Sequence, residues 1–195
     1  NGVPHNNWDL LQARYIMNVG LVLEDNKEYA DGKGREYYID YVLNRSGIRQ
    51  WSLTRLADYG FDAETGIWAE CPGYSSVVIN DYANFANQFD NNLHYDLVKA
   101  MPVLSKAVAA TPQYLFPNRM ICGFGDTHPG YLNTNFFIRM IQNAQANGKK
   151  EQEDYFTALL KCLNPETDAD KGEKKNVRVS VNSFFEDKPL KLDPN

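Results

Sequence analysis

Apolar residues recur along most of this chain at the three-and-four spacing that places them on one side of a helix. Asn6 or Asn7 can cap a first helix in which Trp8, Leu11, Tyr15, Val19 and Val22 share a face, and that face is expected to be the buried one. A second helix is predicted after Asp31, using Tyr37, Tyr38, Tyr41 and Val42. Between Gly47 and Gly66 the pattern is mixed, and it predicts a short helix around Leu53 to Ala57 followed by a long loop. The period returns at Ser75, with Val78, Tyr82, Phe85, Phe89 and Leu93 on one face. Leu97, Val98, Met101, Leu104 and Val108 continue it, with a kink or restart at Pro102, which has no N–H for the helical ladder. Two closing helices carry Phe136, Phe137, Met140, Ile141 and Ala144, then Tyr155, Phe156, Leu159, Leu160 and Leu163.

Two stretches break this pattern. "TPQYLFPNRMICGFGDTHPGY", positions 111–131, holds three prolines and three glycines and is longer than a simple connector needs to be. After the charged run from Asp168 to Lys175, "NVRVSVNSFF" alternates Val177, Val179 and Val181 at strand period. A strand cannot satisfy its backbone alone. The expected organisation is therefore mainly α, with a helical portion over residues 1–165 and a linker plus the start of a β domain over 166–195.

Composition narrows the function classes. A length of 195 residues suits one substantial core. The formal charge of -5 and the lack of a Lys/Arg stripe argue against nucleic acid as a partner. No apolar run approaches the ~20 residues of a membrane span, so no membrane partner is expected. Cys71, Cys122 and Cys162 lack the Cys-x-x-Cys spacing of a zinc site, and no metal ligands are assigned. Cys71 and Cys122 are the one pair whose context invites a check for a bridge.

Four irregular places carry polar residues that core packing does not require: "PHNNW" (4–8), "AECPGYSS" (69–76), "NRM" (118–120) and "GFGDTHPGY" (123–131). They supply Tyr74, Asn6, Asn7 and His128 as candidates for chemistry, and His5, Trp8, Glu70, Arg119, Asp126 and Tyr131 as candidates for holding a substrate. Plain structural roles also suit them. Asn6 or Asn7 can cap a helix, Pro72 and Gly73 can make a bend with Ser75 or Ser76 capping behind it, and Asp126 can close an Asx-turn.

The order "NNW" at a helix start, "PGYS" opening a later helix, then a Gly-Asp loop before two closing helices and a β segment, resembles the heparinase II/III-like polysaccharide lyases. The resemblance implies an incomplete (α/α) toroid of helical hairpins, followed by a β-sandwich that lies outside this chain. It implies cleavage of an anionic, uronic-acid polysaccharide by β-elimination, in a periplasmic or secreted setting. No cofactor is implied within this chain, although a metal in the β-sandwich fits the family. Carried over by motif, Tyr74 corresponds to the catalytic tyrosine, and Asn6 or Asn7 to the amide that neutralises the uronate carboxylate. The spacing between the two motifs is longer than usual, and His5 precedes the amide where many members carry a histidine after it.

The chemistry calls for these residue types. Removing the proton alpha to a carboxylate builds a dianion, so the carboxylate must first be hydrogen-bonded or neutralised. An Asn amide donates without titrating. A phenol near its ordinary pKa of ~10 is a slow base at neutral pH, so it either has its pKa lowered by a neighbour such as His128 or Arg119, or it acts as the acid for the leaving oxygen. Two other readings use the same residues. A glycoside hydrolase would pair Glu70 with Asp126, and a non-catalytic binding module would use Trp51, Trp68, Tyr59 and Tyr131 as sugar-stacking platforms.

Overall fold

Eight α-helices and one short 3-10 helix make up the regular structure of the described residues, which are 7–23, 29, 31–48 and 50–163 of a computed structural model. They are α1 (Asn7–Val22), α2 (Arg35–Asn44), α3 (Leu53–Gly60), α4 (Pro72–Leu93), α5 (Leu97–Ala100), α6 (Val103–Ala110), the 3-10 turn (Thr111–Tyr114), α7 (Asn135–Ala146) and α8 (Lys150–Leu163). The fold is mainly α, and β pairing among the described residues is limited to isolated bridges such as Phe61 with Trp68 and Met120 with Tyr131. The segment expected to form a strand at 177–181 lies outside the described residues.

α4 is the centre of the molecule. Val78, Tyr82, Phe85 and Phe89 are all buried, one per turn, as their spacing predicts. α7 packs between α4 and α8 and buries Phe136, Phe137, Met140, Ile141 and Ala144, while α1 packs against α2 and α4. Each aromatic or aliphatic side chain so enclosed contributes about 1.5–3 kcal/mol. Pro102 separates α5 from α6 as expected, because its ring removes the N–H that a continuous helix would need.

The first helix forms where the sequence predicts but turns a different face inward. Trp8, Tyr15, Val19 and Val22 are exposed, and Leu10, Ala13, Met17, Gly20 and Leu21 are buried. The helix is apolar on more than one side, so periodicity alone does not choose. The small residues do. A Cβ on Gly20 would stand 3.1 Å from Ile39 Cδ1 and 3.2 Å from Tyr38 Cβ, so α2 can approach only along the stripe that contains Gly20 and Ala13. Arg35 then fixes the pair by donating through Nε to the Leu23 carbonyl (2.9 Å) and through Nη2 to that of Leu21 (3.1 Å).

α3 runs to Gly60, three residues beyond the expected end, and α4 begins at Pro72 rather than Ser75. Pro72 occupies the first helical position, where an N–H would be unpartnered anyway, and Cys71 is the N-cap. Ser75 and Ser76 therefore lie inside the helix and do not cap it. Their hydroxyls donate to the carbonyls of Glu70 (3.2 Å) and Gly73 (2.8 Å). Trp68, read as a surface platform, is instead buried, with its ring against Phe61 and directly over Gly60, where any Cβ would overlap the indole. All three cysteines are free thiols.

Candidate active site

The first turn of α4 is covered by the loop that contains "GFGDTHPGY". Backbone bonds shape that loop: Cys122 N–H to the Tyr114 carbonyl (2.7 Å), Ile121 N–H to that of Gly130 (2.8 Å), and Thr127 N–H to that of Phe124 (3.3 Å). Gly125 takes a left-handed conformation (φ +61°), which turns the chain back toward Cys71. Buried Thr127 reaches the helix mouth, where its Oγ1 accepts the Gly73 N–H at 2.9 Å. A Cβ on Gly73 would lie 3.3 Å from Thr127 Cα, so the glycine permits the contact.

This docking brings Asp126 to Tyr74. The phenol donates to Asp126 Oδ2 at 2.8 Å, across 52 residues of sequence. That hydrogen bond, followed by the carboxylate's charge, raises the Tyr74 pKa above its ordinary value, with smaller contributions from slight burial and from Cys71 and Glu70. Tyr74 therefore keeps its proton across neutral pH. At Cys71, burial pushes the thiol pKa up. The Thr127 hydroxyl and the backbone amides of Tyr74, Asp126 and Gly73 around it outweigh that and bring it below its ordinary value.

The other predicted residues fall in different places. His128 is exposed, two positions beyond Asp126 on the same loop. Glu70 accepts Trp68 Nε1–H at 2.7 Å, which ties its carboxylate to the buried indole. Arg119, in a left-handed conformation (φ 67°), directs Nη1 to the Leu163 carbonyl at the end of α8 (3.4 Å). Tyr131 is exposed and pairs through its backbone with Met120. Asn7 and exposed Trp8 open α1, and the next residue, Asp9, accepts the Trp51 N–H (3.2 Å) while its carbonyl accepts Gln50 Nε2–H (3.2 Å). The start of α1 is thus anchored on residues 50–51. His5 and Asn6 lie outside the described residues.

The hydrogen bonds gather Tyr74 and Asp126 with Thr127, and the close backbone approaches add Cys71. Thr127 and Cys71 were not among the predicted site residues. A buried threonine inside a run of exposed loop residues leaves no periodic trace, and the helix-capping position of Cys71 follows only once α4 starts at Pro72. Among the described residues no group of three or more His, Cys, Asp or Glu could hold a metal ion, and no helix is long and apolar enough to cross a membrane.

Comparison with known families places the chain among the polysaccharide lyases. A model described as the endo-acting ulvan lyase second domain matches residues 64–192, about two thirds of the chain, and the chain belongs to that family. The matched region contains Glu70, Cys71, Tyr74, Asp126, Thr127 and His128. It agrees with the heparinase II/III resemblance at the level of polysaccharide lyase and names ulvan lyase as the family. No curated protein and no solved structure matches.

Proposed function

We propose that this domain carries the acid–base tyrosine of a lyase that cleaves an acidic, uronate-containing polysaccharide by β-elimination, with ulvan the first polymer to try. The observation behind this reading is the Tyr74–Asp126 hydrogen bond at the mouth of α4, in a chain of a polysaccharide lyase family. Because Asp126 raises the Tyr74 pKa, the phenol serves as the acid. A base removes the proton alpha to the uronate carboxylate, the bond to the leaving glycosidic oxygen breaks, and Tyr74 passes its proton to that oxygen. His128, on the same loop and open to solvent, is the base in this scheme. By the family resemblance, Asn6 or Asn7 hydrogen-bonds the carboxylate so that the developing dianion is tolerated. By the same resemblance, the helices are read as part of an (α/α) toroid.

The test is to incubate the full-length protein with ulvan, alginate, heparan sulfate and hyaluronan, following ultraviolet absorbance and reducing ends together. Absorbance and reducing ends rising in step support elimination. Reducing ends without absorbance would instead mean hydrolysis, and neither signal on any of the polymers would mean binding without catalysis.

A further inference from the structure

A second cluster suited to saccharides lies on α3, outside the Tyr74 site. Trp51 and Tyr59 meet edge to face, with ring centroids 5.1 Å apart and planes at 84°. The Arg55 guanidinium lies over the Trp51 ring, 4.0 Å from its centroid. Arg55 and Tyr59 are four residues apart on one helical face, and both are exposed. The base of the cluster is rigid. Ser52 caps α3 by accepting the Arg55 N–H (3.3 Å), and Leu53, Leu56 and Ala57 anchor the opposite side of the helix in the core. Asp9 accepts the Trp51 N–H (3.2 Å) and so ties the first turn of α1 to the base of the cluster.

We infer that Trp51, Arg55 and Tyr59 form a binding site for the anionic sugar rings of a polysaccharide, apart from the bond that is cleaved. Tyr59 is 59% exposed, and an exposed aromatic residue supplies apolar surface of the kind on which the C–H face of a pyranose stacks. Arg55 makes no ion pair among the described residues, and the contact of its guanidinium with the Trp51 ring, 4.0 Å from the centroid, restrains this exposed side chain. A guanidinium so restrained suits a carboxylate or a sulfate, two anionic groups of shared chemistry. The site lies within reach of the same polymer. The carbonyl of Gly60, the residue after Tyr59, accepts the Ala69 N–H (2.9 Å), and the five residue steps from Ala69 to Tyr74 span at most about 18 Å.

This inference rests on the polysaccharide reading above, and the experiment separates the two. The Arg55→Gln and Tyr59→Ala variants of the full-length protein are run through gels containing alginate (carboxylate only), dextran sulfate (sulfate only) or dextran (neither). KM and kcat are measured on whichever polymer is cleaved. Both side chains are exposed, and near-ultraviolet circular dichroism checks that the variants fold. The expected result is retardation of the wild type by alginate, dextran sulfate or both but not by dextran, weakened roughly tenfold in each variant. KM should rise while kcat is unchanged. Retardation by alginate assigns the site to carboxylate, and retardation by dextran sulfate assigns it to sulfate. Variants that bind like the wild type overturn the site even if the enzyme is an active lyase, and so does a wild type that no acidic polymer retards. Failure of the catalytic reading would appear separately, as the absence of unsaturated product from every polymer.

Discussion

The two ends of α4 use similar residues for opposite purposes. At its start, an exposed aspartate on a loop accepts a hydrogen bond from the half-buried Tyr74, and the pair is held to the helix by Thr127 and Gly73. At its end, Asp90 is only 7% exposed and accepts the side-chain amides of Asn143 and Asn147, from α7 and its C-cap. Beside it, Asp96 pairs with Lys149 (2.5 Å) and accepts the Lys99 N–H to cap α5 (3.0 Å). Burial pushes the Asp90 pKa up against the two amide donors. The buried cluster joins elements that must not move. The Tyr74–Asp126 pair joins a loop to a helix at the surface, through a hydrogen bond open to solvent, and little of the core depends on it. Solvent access, more than residue type, decides which aspartate serves stability and which is open to chemistry.

The sharpest way to break this comparison is to exchange the expected losses. Tyr74→Phe should lower kcat by about 10²–10⁴-fold and leave Tm unchanged, because it removes the transferable proton and no buried contact. Asp90→Ala should do the reverse. It removes two buried or half-buried hydrogen bonds, leaving the Asn143 amide only its long contact to Asp96 and the Asn147 amide only the Asn143 carbonyl, and costs about 1–3 kcal/mol of stability, while the protein that remains folded keeps its kcat. Chemical denaturation and initial rates on the same preparations give both numbers. An active Phe variant would reduce Tyr74 to a structural residue.

A smaller effect probes the docking of the loop. In Gly73→Ala the new methyl would press on Thr127 at 3.3 Å, so the loop must yield by a few tenths of an ångström and carry Asp126 with it. The expected outcome is roughly a tenfold fall in kcat with a minor change in Tm, since a positioning error matters more to proton transfer than to packing. A variant with unchanged kcat would mean that the loop's position is immaterial to the reaction.

How much the sequence shows differs between these regions for physical reasons. α4, α7 and the break at Pro102 are legible because each presents one apolar face or one missing donor. α1 is legible as a helix but not in its orientation, since Gly20 and Ala13 choose the face through what they lack. Trp68 looks like a surface aromatic until Gly60, eight residues earlier, is seen to leave room for its ring in the core. At the site, Tyr74 and Asp126 both stand out as polar residues in irregular segments, yet their union depends on a long-range contact between Gly73 and Thr127 that no local pattern encodes.

The pH dependence gives the finest test of the Tyr74–Asp126 pair. Tyr74 has its pKa raised first by the hydrogen bond to Asp126 and then by the carboxylate's charge. If the phenol is the acid, kcat requires its protonated form, so activity holds at neutral pH and falls on the alkaline side as pH passes the raised pKa. Asp126→Asn removes the charge and lets that pKa fall back toward the ordinary ~10. The alkaline limb of the kcat profile should then move to lower pH, with the neutral rate changed only modestly. If the phenol were the base, the same substitution would enlarge the phenolate fraction near neutrality, and the rate there would rise instead. A pH–rate profile of Asp126→Asn beside the wild type therefore reports, by the sign of the change, whether this aspartate keeps Tyr74 protonated in order to donate.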